Sequence, residues 1–194
     1  MAQNQKHGKI LETKVGQRSV SAKTGASIHP QKISSRLSKL NTDIVTETWQ
    51  SDNYLLAISI IIDKTGKAEW QMTPVEKMQL VKDGLSKTDL EKLKTKTNLD
   101  YDKLSILLST ARATLINKKG TAQFNTSISE KILSIADVYS YGFKVFEDET
   151  KFNEWVFKPN RALGGKQPFE LLDNQFGREE VKNLIGRIDY GVYS

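Results

Sequence analysis

Between residues 73 and 146 the chain repeatedly writes the chemistry of a helix start, and this constrains the fold more than any other feature. Thr73-Pro74-Val75-Glu76 supplies an N-cap, a proline at the first helical position and a glutamate at the third. Val75, Met78, Leu80 and Val81 carry an apolar stripe from there to Gly84. Ser86-Lys87-Thr88-Asp89 opens a second helix, with Leu90 and Leu93 on one face and Asn98 near its end. Asp100 to Leu108 reads as a third. Ser109-Thr110 is expected to cap a fourth, Ala111 to Lys119, which Gly120 stops. Ser127-Ile128-Ser129-Glu130 reads as a further capping box. It opens a long helix carrying Ile128, Ile132, Leu133, Ile135, Ala136, Val138, Tyr139, Phe143 and Phe146. Helices this close together imply a compact all-α bundle.

The flanks read differently. Pro159, Gly164-Gly165, Pro168, Gly177 and Gly186 break residues 147–194 into short helical pieces, a small domain of their own. Tyr54 to Ile62 is dense in β-branched residues and runs into the turn chemistry of Asp63 to Gly66. A run this apolar does not declare its period, so strand and helix both fit residues 46–72. Residues 1–45 are polar, with no sustained apolar period, and are expected to form a flexible tail. The expected fold class is mainly α: a helix-turn-helix bundle over 73–146, a small helical domain over 147–194 and a flexible N-terminal tail.

Composition narrows the function. With no cysteine there is no disulfide framework and no thiolate chemistry. His7 and His29 stand alone, so no metal site and no cofactor are expected. The longest apolar run, Leu55 to Ile62, is far short of the roughly 20 residues of a membrane helix. A signal peptide is not expected either, and the reading is of a soluble cytoplasmic protein. Charge is unevenly spread. Residues 1–49 hold eight Lys/Arg against three acidic residues, 73–146 twelve against eight, and 147–194 seven against nine. Polyanion contact therefore belongs to the first two regions and another task to the last. Acid pairs such as Asp100/Asp102 and Glu179/Glu180 look like solvated helix ends, and no catalytic constellation emerges.

The third and fourth helices have the dimensions of a helix-turn-helix, joined by a turn of one or two residues. Leu104, Leu107 and Leu115 are expected to hold the pair against the bundle. The second helix then faces the major groove. Thr110 and Arg112 reach base edges, Thr114 contacts base or phosphate, and Lys118 and Lys119 meet phosphates.

The last stretch is more specific. Phe157 to Asp173, with Pro159-Asn160-Arg161-Ala162-Leu163-Gly164-Gly165 at its heart, then Gly177 to Val181 and Leu184 to Ser194, resemble the toxin-binding domain of Xre/MbcA/ParS-type antitoxins. More loosely, the stretch from Gly84 to Phe146 is similar to the helix-turn-helix half of Xre-type proteins. The resemblance implies a partner toxin with a RES domain that destroys NAD. It implies that the antitoxin's C-terminus reaches that toxin's active-site cleft. It also implies repression of the operon through operator DNA, bound by an antitoxin homodimer. The implied toxin-binding residues are Arg187, Tyr190, Gly191, Val192, Tyr193 and Ser194.

Their chemistry suits the task. Tyr190 and Tyr193 are large, with few rotatable bonds and a polar tip. Gly191 lets the backbone pass close to a wall, and the Ser194 hydroxyl is a hydrogen-bonding group for a polar pocket. Arg187 pairs with a toxin carboxylate or, equally, with Asp189 or Glu180 of its own domain. A stand-alone helix-turn-helix regulator, its C-terminal domain serving dimerisation or ligand sensing, is the alternative. One departure from the family concerns the fourth helix. It runs out through Ile116-Asn117-Lys118-Lys119, where family members carry more arginine.

Overall fold

A computed structural model describes residues 53, 54, 56–61 and 65–192. The predicted flexible tail, 1–45, lies outside them. Every named element is helical, as the mainly α reading requires, and the only pairing of extended backbone among the described residues is an isolated bridge between Ser86 and Gln123.

The first two helices begin where the sequence says. In α1 (Pro74–Asp83) the Thr73 hydroxyl accepts from the Glu76 N–H, and the Glu76 carboxylate accepts from the Thr73 N–H at 2.7 Å. In α2 (Lys87–Thr97) Ser86 and Asp89 make the same reciprocal pair, and Asn98 closes the helix in the left-handed region. Each such cap is worth about 1 kcal/mol. Asp100 caps α3 (Tyr101–Leu107).

Two expected caps are displaced. Ser109-Thr110 does not open the fourth helix. Ser109 sits at φ 48° and the Thr110 N–H donates to the Ser105 carbonyl at 3.1 Å, so both residues finish α3. The fourth helix, α4, is shorter than predicted, Arg112–Asn117, with Ala111 in the cap position and no side-chain cap bond. The turn from Leu108 to Ala111 is accordingly longer than expected. Ser127 likewise gives way to Asn125, whose side chain accepts from the Ile128 N–H, and α5 runs from Thr126 to Phe146.

At 21 residues, α5 spans about 32 Å and is the spine of the molecule. It packs against α1, α2, a 3₁₀ turn at Glu69–Gln71, α6 (Glu149–Trp155) and α8 (Gln175–Asp189). Glu147 caps α5 in the left-handed region. The helices on either side of it share one core. That core is aromatic where α6 crosses α5. Phe152 is fully buried and meets Tyr139, Phe143 and Phe146 with centroids 5.3, 5.7 and 5.2 Å apart. It packs against Gly142, where a Cβ would fall 2.2 Å from the ring. No side chain larger than glycine fits there.

Upstream, residues 53, 54 and 56–58 are helical, which decides the strand-or-helix ambiguity in favour of helix for those positions. Ile58, Ile60 and Ile61 are buried. The carboxylate of fully buried Glu69 accepts from the N–H groups of Ile60, at 2.9 Å, and Ile61. Burial holds that carboxyl above the ordinary range, although the backbone donors pull it back down.

Candidate functional site

Asn174 starts α8 by accepting from the Gly177 N–H at 3.0 Å. Gly177 is required: a Cβ there would sit 1.9 Å from the Leu171 carbonyl oxygen, at the end of the short α7 (Pro168–Leu171). Val181, Leu184 and Ile185 are buried. Nearly buried Arg178 donates to the Leu172 carbonyl at 3.2 Å and pairs with Glu130 on α5 at 3.4 Å.

The far end of α8 closes with an acid, which the helix dipole disfavours. Lys144 of α5 compensates, its Nζ lying 2.9 and 2.8 Å from the two oxygens of Asp189. Tyr141 donates to the same carboxylate at 3.2 Å. The lysine's hydrogen bonds hold Asp189 below the ordinary aspartate range. Burial, and then the Asp189 charge, push the Tyr141 phenol up to about 12. Asp189 is therefore anionic and clasped at neutral pH.

Past the clasp the backbone turns back on itself. The Val192 N–H donates to the Arg187 carbonyl at 2.9 Å and the Gly191 N–H to Ile188 at 3.0 Å, with Gly191 at φ 68°. These two bonds define a Schellman closure with glycine at C′. Gly191 is glycine for its positive φ: among the described residues nothing lies within 4 Å of where its Cβ would be. The closure throws Tyr190 outward at 84% exposure and Val192 at 58%. Together with Trp70, Tyr141, Asn183 and Gly186 they line an open groove of about 780 Å³. Arg187 pairs with Glu180 of its own helix at 3.0 Å, while Asp189 is taken by Lys144. Tyr193 and Ser194 lie outside the described residues.

The helix-turn-helix candidates occupy the opposite kind of setting. Leu104, Leu107 and Leu115 are fully buried, as predicted. Arg112 begins α4, exposed, and forms an ion pair with Asp102 of α3 at 3.3 Å. Thr114 is exposed, and Thr110 lies half-buried in the turn. Lys118 is half-buried, its ammonium 5.3 Å from the Phe124 ring centroid, and Lys119 is exposed beyond it. The structure brings Arg112, Thr114 and Lys119 to the surface and leaves Thr110 and Lys118 engaged locally.

Residues 142–191 match the family described as the antitoxin Xre/MbcA/ParS C-terminal toxin-binding domain. Across 138 residues the chain is 25% identical to the Prs ADP-ribosylating antitoxin of Sphingobium sp. strain YBL2, covering 66% of this chain and 87% of that protein. It is 34% identical over 76 residues to an Antitoxin Xre of Photorhabdus laumondii, covering 39% of this chain and 51% of the relative. A second Antitoxin Xre, from Yersinia enterocolitica, is 34% identical over 73 residues, 37% of this chain and 49% of the relative. The chain thus spans about half the length of the two Xre relatives.

Within the matched segment, Asn160 and its glycines serve local geometry. Asn160 caps a 3₁₀ turn at Arg161–Leu163, and Gly164 and Gly165 follow at φ 66° and 82°. They shape a loop. Sequence reasoning missed Trp70, Tyr141 and Lys144. Tyr141 and Lys144 sit one turn apart near the end of α5, a spacing that puts both on one face, but nothing local says which partner they meet. Trp70 lies upstream of the matched segment, and only the fold brings it to the groove.

Proposed function

We propose that this chain is the antitoxin of a toxin–antitoxin pair, acting in the cytoplasm, with the end of α8 as its toxin-docking surface. One observation carries the reading: where the segment that matches a toxin-binding domain ends, Tyr190 and the next residue past it, Val192, are held outside the core by a main-chain closure. An apolar, aromatic tip with low ordering cost is what the centre of a protein interface is made of. On this reading Tyr190, Gly191 and Val192, followed by Tyr193 and Ser194, enter the active-site cleft of a RES-domain toxin that destroys NAD. The name of the Sphingobium relative places ADP-ribosylation beside an antitoxin; ADP-ribosyl transfer also draws on NAD, so one readout serves both chemistries. Arg187, paired with Glu180 of its own helix at 3.0 Å, takes part in the same toxin-binding surface. The α3–α4 pair binds operator DNA in a homodimer and represses the operon.

Co-expression with the product of the neighbouring gene, monitoring cellular NAD, tests the proposal. Full-length protein should preserve NAD, and deletion of residues 190–194 should restore its loss. Tyr190→Ala alone should weaken the purified complex by about 2 kcal/mol or more. Unchanged protection by the deletion variant would exclude the tip from neutralisation.

A further inference from the structure

The recognition helix α4 has six residues, a single buried side chain, Leu115, and no side-chain cap. A helix this short does not persist by its own hydrogen bonds, so something outside must fix it. Its first turn follows directly from the α3 closure. Its last turn is held by Lys87, the first residue of α2.

The Lys87 side chain is only 11% exposed. Its Nζ donates to the Leu115 carbonyl at 2.7 Å, in the turn where helix carbonyls lack intrahelical partners. The same nitrogen lies 2.7 Å from the Glu91 carboxylate and donates to the Tyr101 hydroxyl. All three ammonium donors are engaged. The Tyr101 hydroxyl in turn donates to Glu91, and the Lys87 ammonium lies 4.4 Å from the Tyr101 ring centroid. Burial opposes the charge on Lys87, but Glu91 and Tyr101 outweigh it and keep the ammonium protonated. A cation against the C-terminal carbonyls of a helix is also favoured by the dipole.

We propose that Lys87, clamped between Glu91 and Tyr101, is the positioning residue of the recognition helix, setting the axis along which Arg112 and Thr114 meet DNA. This rests on the reading of α3–α4 as a DNA-binding pair. Lys87 itself makes no phosphate contact, because its donors are used and its side chain is covered. Glu91 belongs to the clamp although it carries the charge that DNA repels, since without it Lys87 would lose one of its three partners.

The experiment uses full-length Lys87→Met, Lys87→Arg and Tyr101→Phe. Two quantities are read: amide hydrogen exchange over residues 112–117, and operator affinity at several salt concentrations. In Lys87→Met, exchange at Leu115, Ile116 and Asn117 should quicken about tenfold, and specific operator affinity should fall by about as much. The slope of log affinity against log salt and the affinity for toxin should both stay unchanged. Tyr101→Phe should move both quantities the same way by less, and Lys87→Arg should restore most of the loss. Unchanged exchange in Lys87→Met overturns the proposal. So does a salt slope shallower by about one unit, which would mark Lys87 as a phosphate contact. Parallel losses of toxin binding and global stability would also overturn it, by making Lys87 a general fold residue. Wild-type protein that binds no DNA overturns the reading beneath the proposal, and the exchange data then show separately whether the clamp exists.

Discussion

The end of α8 and the short helix α4 both carry exposed residues, yet they are supported in opposite ways. The first is the tip of a 15-residue helix that buries Val181, Leu184 and Ile185 and is locked to α5 by the Lys144–Asp189–Tyr141 clasp. The second is six residues resting on Leu115, steadied by a lysine from a different helix. One surface is built by its own element and the other is borrowed from its neighbours. Energetically, α8 loses little further freedom when a partner arrives. By contrast, α4 keeps its pose only while the residues beneath it do.

Substitutions should separate the two regions. Ile185→Ala removes a fully buried side chain from the α8 face and should cost about 2–5 kcal/mol of global stability by urea denaturation. A loss confined to α8, with the rest of the protein unaffected, would show that the shared core with α5 is not cooperative. Arg112→Ala should weaken operator binding by about 1–3 kcal/mol while leaving toxin affinity alone. Equal affinity across several salt concentrations would remove Arg112 from the readers of sequence. Gly191→Ala forces an alanine into positive φ and should cost about 1 kcal/mol, seen chiefly as weaker toxin binding. If affinity holds, the closure does not aim the tip. Asp102→Asn frees Arg112 from an exposed ion pair and should raise operator affinity by only about 0.2–1 kcal/mol; a decrease would mean that Asp102 orients the arginine productively.

Protonation offers a milder test of the clasp. The pKa of Asp189 is lower folded than in the unfolded chain, so its contribution is fully present above the ordinary aspartate value of 3.8. It is lost as pH falls through the depressed folded value. The carboxyl resonance of Asp189 should titrate below 3.8 in the wild type, and Lys144→Met should return it toward that value. Titration at the ordinary value in both proteins would show that the clasp is not formed in solution.

The local part of this architecture was legible in the sequence. Thr73 with Glu76 and Ser86 with Asp89 act within a single turn, so residue identity alone places those caps. The burial of Leu104, Leu107 and Leu115 follows from helical period. The misplaced caps show where local reasoning stops. Ser127 is as good a cap as Asn125, but Ser129 is occupied. Its hydroxyl accepts from the Leu85 N–H at 3.0 Å and donates to the Phe124 carbonyl, which pulls the start of α5 upstream. Ser109 and Thr110 were likewise claimed by the end of α3. The groove was least legible. Trp70 and Tyr141 face each other with ring centroids 6.1 Å apart, and Lys144 meets Asp189 across 45 positions of chain. Such pairings are written in topology, and no period or cap encodes them. Charge distribution did separate the basic middle from the acidic end, but not the residues within each that face outward.

The closure of α8 separates where the tip points from what the tip is. Its direction is set by two main-chain bonds and one glycine, none of which involves the side chains of Tyr190 or Val192. Those two positions are consequently free to drift under selection without refolding their support. On the proposed reading, a lineage that holds the glycine and the aspartate can exchange one cognate toxin for another chiefly by altering the side chains it displays.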